Sequence, residues 1–95
     1  MRRNYVVTYD IADDKRRTTV FKTLHGYGDH VQYSVFFCAL NQRELIQLRG
    51  RLRAAIHHDE DQVLLVDVGR ARRTFDAALD VVGRAYVPAT RTIVI

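Results

Sequence analysis

Residues 4–17 read NYVVTYDIADDKRR, and the fold depends on how this stretch is divided. Tyr5, Val6, Val7, Thr8 and Tyr9 are β-branched or aromatic and apolar on both faces, which predicts a central strand over 4–9. The run then reaches Asp10. Asp13 is a good N-cap, because its side-chain oxygen can accept from the free backbone N–H groups of a helix starting at Asp14 or Lys15. Val20, Phe21, Leu24 and Tyr27 recur at helical spacing and form that helix's inner face. Gly26 and Gly28 end it.

Working outward, residues 30–40 (HVQYSVFFCAL) form the second β segment, either one long strand or two short strands with a kink near Ser34. Alternation puts Val31, Tyr33, Val35, Phe37 and Ala39 on one face, and Gln32, Ser34, Phe36, Cys38 and Leu40 on the other. Asn41 opens an Asn-x-x-Glu capping box. The helix it starts buries Leu45, Leu48, Leu52, Ala55 and Ile56, with Arg43, Arg49, Arg51 and Arg53 on its other face. Residues 57–62 are a polar loop, 63–69 a strand, and the Gly-Arg-Ala-Arg-Arg run ending at Arg73 a basic turn. Residues 74–83 fit a helix, or a strand over 78–82. Pro88 breaks the chain before a short apolar strand, 92–95.

These elements predict an α+β fold over 1–95 as one domain: a ferredoxin-like sandwich, an antiparallel sheet with two helices on one face. The last strand has no obvious place in such a sheet. It would pair across a homodimer, on the exposed edge of a second copy. A chain of 95 residues buries only a modest core, which also favours association.

The formal charge is +4, and thirteen of the fifteen cations are arginine, whose planar fork suits phosphate. Nucleic acid is therefore a natural partner. The lone cysteine, Cys38, excludes an internal disulfide and a four-cysteine metal site. No run approaches the ~20 apolar residues that span a bilayer, so no membrane role is expected and the chain is read as soluble and cytoplasmic.

Asp10, at the end of a central strand, is suited to a hard cation such as Mg2+, which could polarise a phosphodiester and activate water. The alternative is a turn residue that only receives backbone hydrogen bonds. Asp13 is assigned to the helix cap and Asp14 to solvent. Lys15, Arg16 and Arg17 oppose the helix dipole, so they either bind phosphate or pair with Asp13 and Asp14. The four histidines lack zinc-site spacing and are read as exposed or loop residues. Tyr9, Tyr33, Phe36 and Phe37 are core candidates rather than base-stacking platforms. Phe36 is the exception, since Phe36 and Phe37 cannot share one face.

The Tyr-Asp-Ile that closes the first strand, the Arg-x3-Phe-x2-Leu-x3-Gly-x2-Val-Gln-x-Ser-Val-Phe pattern over 17–36, and the Asp-Val-Gly-Arg-Ala-Arg-Arg run resemble the small CRISPR-associated endonucleases that act with the spacer-acquisition integrase. The resemblance covers essentially the whole chain. It implies a ferredoxin-like homodimer in which the first-strand aspartates of both protomers share one Mg2+ or Mn2+ ion. It implies cleavage of single-stranded RNA or double-stranded DNA, and a scaffold for the integrase and incoming DNA. Carried over by position, Asp10 is the metal ligand, and Tyr9, Arg17 and Phe36 complete the catalytic set. Arg16, Arg17, Arg49, Arg51, Arg53, Arg72 and Arg73 would grip phosphates. Thr19, His30 and Phe37 depart from residues common in that family, which bears on substrate choice. The competing readings are a non-catalytic nucleic-acid scaffold and an unrelated small ferredoxin-like module of ligand-binding or toxin type.

Overall fold

The computed structural model describes residues 1–87. The elements are β1 (Arg3–Asp10), α1 (Asp14–His25), β2 (Asp29–Gln32), β3 (Val35–Leu40), α2 (Gln42–Ala55), β4 (Gln62–Arg70) and the one-turn α3 (Phe75–Ala78). The sheet order is β2-β3-β1-β4, with every neighbouring pair antiparallel. This is the expected ferredoxin-like arrangement, with β1 and β3 in the centre.

Both long helices start as expected. The Asp13 side chain accepts from the Arg16 backbone N–H at 3.0 Å. The capping box is complete: Asn41 Oδ1 accepts from Glu44 N at 2.8 Å, and Glu44 Oε1 accepts from Asn41 N at 2.9 Å. Val20 and Leu24 of α1 and Leu48 and Leu52 of α2 meet Tyr5, Val7 and Tyr9 of β1 and Phe36, Cys38 and Leu40 of β3 in one core. The two helices therefore share one sheet face. Gly28 lets the end of α1 pass over β3, because a Cβ there would lie 2.5 Å from Cys38 Sγ and closer still to the Phe37 carbonyl oxygen.

Residues 30–40 form two strands, not one, joined by the two-residue turn Tyr33–Ser34. Tyr33 has φ 40° and is 90% exposed, so its expected place in the core is corrected. Positive φ is what a tight hairpin demands and what glycine or asparagine ordinarily supplies. In tyrosine it costs about 1–2 kcal/mol. Phe36 is fully buried on the helix face, while Phe37 points to the other face and packs on Phe75, centroids 5.1 Å apart. Within 74–83 only Phe75–Ala78 is helical, and no strand forms over 78–82. The expected strand at 92–95 and the break at Pro88 lie outside the described residues.

The face opposite the helices is partly covered by the segment from Phe75 to Tyr86, whose hydroxyl donates to the His30 carbonyl at 3.2 Å. Toward β4 it is open. Leu64, Val66 and Val68 are 49%, 49% and 54% exposed. Leu64 and Val66 align with β1 through the pairs Thr8–Leu64 and Val6–Val66.

Candidate nucleic-acid and metal site

Asp10 is the last residue of β1 and is paired in register with Gln62 of β4. Its side chain is exposed and takes no hydrogen bond or ion pair among the described residues. Alternation assigns it to the same sheet face as Val6 and Thr8, the open one. Among the described residues no backbone N–H donates to the Asp10 side chain, as the reading of Asp10 as a turn residue would require. The two neighbouring aspartates do have structural jobs. Asp13 caps α1, and Asp14 Oδ1 pairs with Arg17 Nη1 at 2.6 Å. Asp14 is thus paired as well as solvated.

Arg17 also donates through Nη2 to the Ile11 carbonyl at 3.2 Å, which holds its guanidinium against the β1–α1 loop. Tyr9 lies behind Asp10, nearly buried. Burial pushes its phenol above the ordinary value, and the charge of Arg17 pulls the other way. Beneath it Phe36 packs against Tyr9, Phe21 and His30 with ring centroids 6.4, 5.5 and 5.0 Å away. Phe36 is wholly enclosed, so it supports Tyr9 from below and is not presented at the surface as the outward ring that the sequence left open. His30, expected to be a loop histidine, instead sits half-buried against Phe21 and Phe36.

Arg16 is already engaged. Its Nε donates to Asp61 Oδ2 at 2.7 Å, and its Nη2 reaches Glu60 Oε1 at 3.1 Å and Asp61 Oδ1 at 3.2 Å. Of the two expected readings, phosphate binding or pairing with carboxylates, the contacts present are carboxylate pairs, made with Asp61 and Glu60 and not with Asp14. Asp61 is the residue that sequence reasoning missed. Its side chain is inaccessible to solvent and also accepts from Ala12 N at 3.0 Å and His57 N at 2.8 Å. The Arg16 hydrogen bond, reinforced by those backbone donors, holds its carboxyl well below the usual range. Asp61 thereby ties the loop before β4 to the loop after Asp10. Its partners Arg16 and Ala12 lie 45 and 49 positions away, so no local pattern could reveal that tie.

Arg51 lies over the Tyr27 ring, 5.9 Å from its centroid. Arg49, Arg53, Arg72 and Arg73 are exposed and form no ion pair among the described residues. β4 begins opposite Asp10 and ends opposite Arg3, so Arg72 and Arg73 emerge at the far end of an eight-residue strand, about 25 Å away. Among the described residues no three His, Cys, Asp or Glu side chains gather to hold a metal. At this end of β1 Asp10 offers one exposed carboxylate among the described residues, which fits part of a Mg2+ coordination shell and not the whole of it. Cys38, pushed up to about 12 by burial, is not a nucleophile. No helix among the described residues is long and apolar enough to cross a membrane.

The fold is that of a small ferredoxin-like α+β sandwich. Residues 3–74 match the model of the CRISPR associated protein Cas2 family, and the chain belongs to that family. It is 43% identical over 91 residues to the CRISPR-associated endoribonuclease Cas2 1 of Rhodospirillum rubrum, covering 96% of this chain and 88% of the relative. It is 35% identical over 91 residues to the CRISPR-associated endoribonuclease Cas2 of Geobacter sulfurreducens, covering 96% and 95%. Among solved structures it is similar to a hypothetical protein of Thermus thermophilus (TM-score 0.76, 36% identity, 94% of this chain and 100% of that one). It is also similar to Streptococcus pyogenes Cas2 (TM-score 0.70, 27% identity, 84% and 99%). The reading as an unrelated ligand-binding or toxin module is thereby set aside.

Proposed function

We propose that this chain is a metal-dependent endonuclease acting on single-stranded RNA or double-stranded DNA, and a homodimeric scaffold that meets the CRISPR integrase during spacer acquisition. The observation that carries the proposal is Asp10: an exposed carboxylate with no side-chain partner among the described residues, at the end of a central strand. Relatives named as endoribonucleases support the reaction class.

Two Asp10 carboxylates, one from each protomer, would hold one Mg2+ or Mn2+ ion, which when bound supplies Lewis-acid activation of a phosphodiester and a water. The chain's own residues set the geometry. Asp61 and Arg16 brace the loop behind Asp10. Tyr9, seated on Phe36, keeps the strand end rigid. Arg17 stands beside it with a partly exposed guanidinium for a phosphate oxygen.

The second copy is argued from the open sheet face. Leu64 and Val66 of β4, both exposed, pair with Thr8 and Val6 on the face to which Asp10 belongs. A second copy covering that column would bring its own Asp10 to the same rim. The scaffold role rests on exposed arginines along α2 and beyond β4 that form no ion pair among the described residues, a distribution that suits a phosphate track better than a single active site.

Asp10→Asn tests the chemistry. It should abolish Mg2+-dependent cleavage of single-stranded RNA and duplex DNA while sedimentation still reports a dimer. Undiminished cleavage by pure Asp10→Asn protein would exclude Asp10 as the metal ligand.

A further inference from the structure

Tyr33 stands out on three independent counts. It is 90% exposed, although it is one of the largest side chains in the protein. It has positive φ, where glycine would be relaxed and tyrosine is strained. Its turn is held rigidly: a His30 ring nitrogen, Nε2, donates to the Tyr33 carbonyl at 2.7 Å, and the His30 ring is itself packed on Phe21 and Phe36.

The turn is also fixed in position relative to Asp10. Thr8 pairs with Val35, and the Tyr9 N–H then donates to the Ser34 carbonyl at 3.2 Å. The ladder ends there, and Tyr33 follows in the turn beside the end of β1 that carries Asp10. The β2–β3 turn therefore lies along the same rim of the sheet as Asp10.

We infer that Tyr33 is a base-stacking platform, whose ring takes an unpaired nucleobase of single-stranded RNA and so sets the phosphate beside it over Asp10. The ring offers an apolar face to any base, and its strained backbone is held by His30 instead of being relieved by a smaller residue. Stacking also selects for single strands, since the bases of a duplex are already stacked on one another. This inference rests on the endonuclease reading for its consequence, but the stacking itself is measured as binding and does not need cleavage.

The test uses the full chain and a single-stranded RNA carrying one 2-aminopurine, whose fluorescence falls on stacking. Tyr33→Gly relaxes the turn and removes the ring. It is expected to weaken RNA binding by about tenfold or more, the scale of one base–aromatic stack. It should abolish the fluorescence change while leaving the thermal midpoint equal to the parent's or higher. Tyr33→Phe should bind within about twofold of the parent, because a phenyl ring stacks as a phenol does. Parent-like binding by Tyr33→Gly, a midpoint that falls together with affinity, equal loss in Tyr33→Phe, or no RNA binding by the parent would each overturn the inference. Asp10→Asn run alongside separates the two proposals. Persistent cleavage there with weakened binding in Tyr33→Gly would sink the metal reading and leave the stacking platform standing; the reverse pattern would do the opposite.

Discussion

Asp10, Asp13 and Asp61 are the same side chain in three environments, and hydrogen-bond donors account for the difference. Asp13 faces a backbone N–H at a helix start, Asp61 faces two backbone N–H groups and a guanidinium, and Asp10 faces none among the described residues. Asp13, Glu44, Asp61 and Asp67 are all held below their ordinary values, led by the Arg16 backbone N–H for Asp13, the Asn41 backbone N–H for Glu44, and the Arg16 and Arg3 side chains for Asp61 and Asp67. A carboxylate with a lowered folded pKa adds stability that is complete above its unfolded value and is lost as pH falls through the folded one. Stability should therefore be flat at neutral pH and decline once pH drops through the ordinary values of 4.5 and 3.8. Asp61→Asn should be less stable at pH 7, and its curve should converge on the parent's in acid. Urea midpoints between pH 7 and pH 3 measure this, and parallel curves would contradict it. Cys38 gives a second check at this scale: it should resist thiol reagents in the native protein and react only at the rate of unfolding. At this scale the sequence was legible where partners are local. Asp13 and the Asn41–Glu44 box declare themselves within three residues, whereas Asp61 meets Arg16 only after the chain has closed on itself.

Periodicity made the first strand, both long helices and the fourth strand legible, because each has a continuous apolar face to bury. The β2–β3 hairpin was harder. Its turn is Tyr-Ser, with no glycine or asparagine to advertise positive φ, so 30–40 could equally be read as a single run. Residues 74–83 have helical spacing but only one turn forms, and its Phe75 is used to cover Phe37. Gly28 illustrates how an element can depend on one missing atom. Gly28→Ala should cost about 1–3 kcal/mol of stability through overpacking against β3. Gly50→Ala makes a matched control, since a Cβ on Gly50 meets nothing within 4 Å and alanine favours the helix by about 1 kcal/mol. Equal effects of the two substitutions in denaturant melts would refute this account of Gly28.

For the molecule as a whole, the sequence announces an arginine-rich ferredoxin-like chain but not which face is left open. That follows only from the register, which aligns Leu64 with Thr8 and Val66 with Val6 on the face away from the helices, where Val68 is exposed as well. Val66→Lys should leave the far-ultraviolet spectrum intact while shifting sedimentation from dimer to monomer and abolishing cleavage. A cleaving monomer would show that one chain suffices. The measurement that bears most directly on the central claim is the stoichiometry of Mn2+ binding, read by calorimetry or by loss of the free-ion spin signal. A shared site predicts one ion for every two chains, lost in Asp10→Asn. One ion per chain, or undiminished binding by Asp10→Asn, would contradict it.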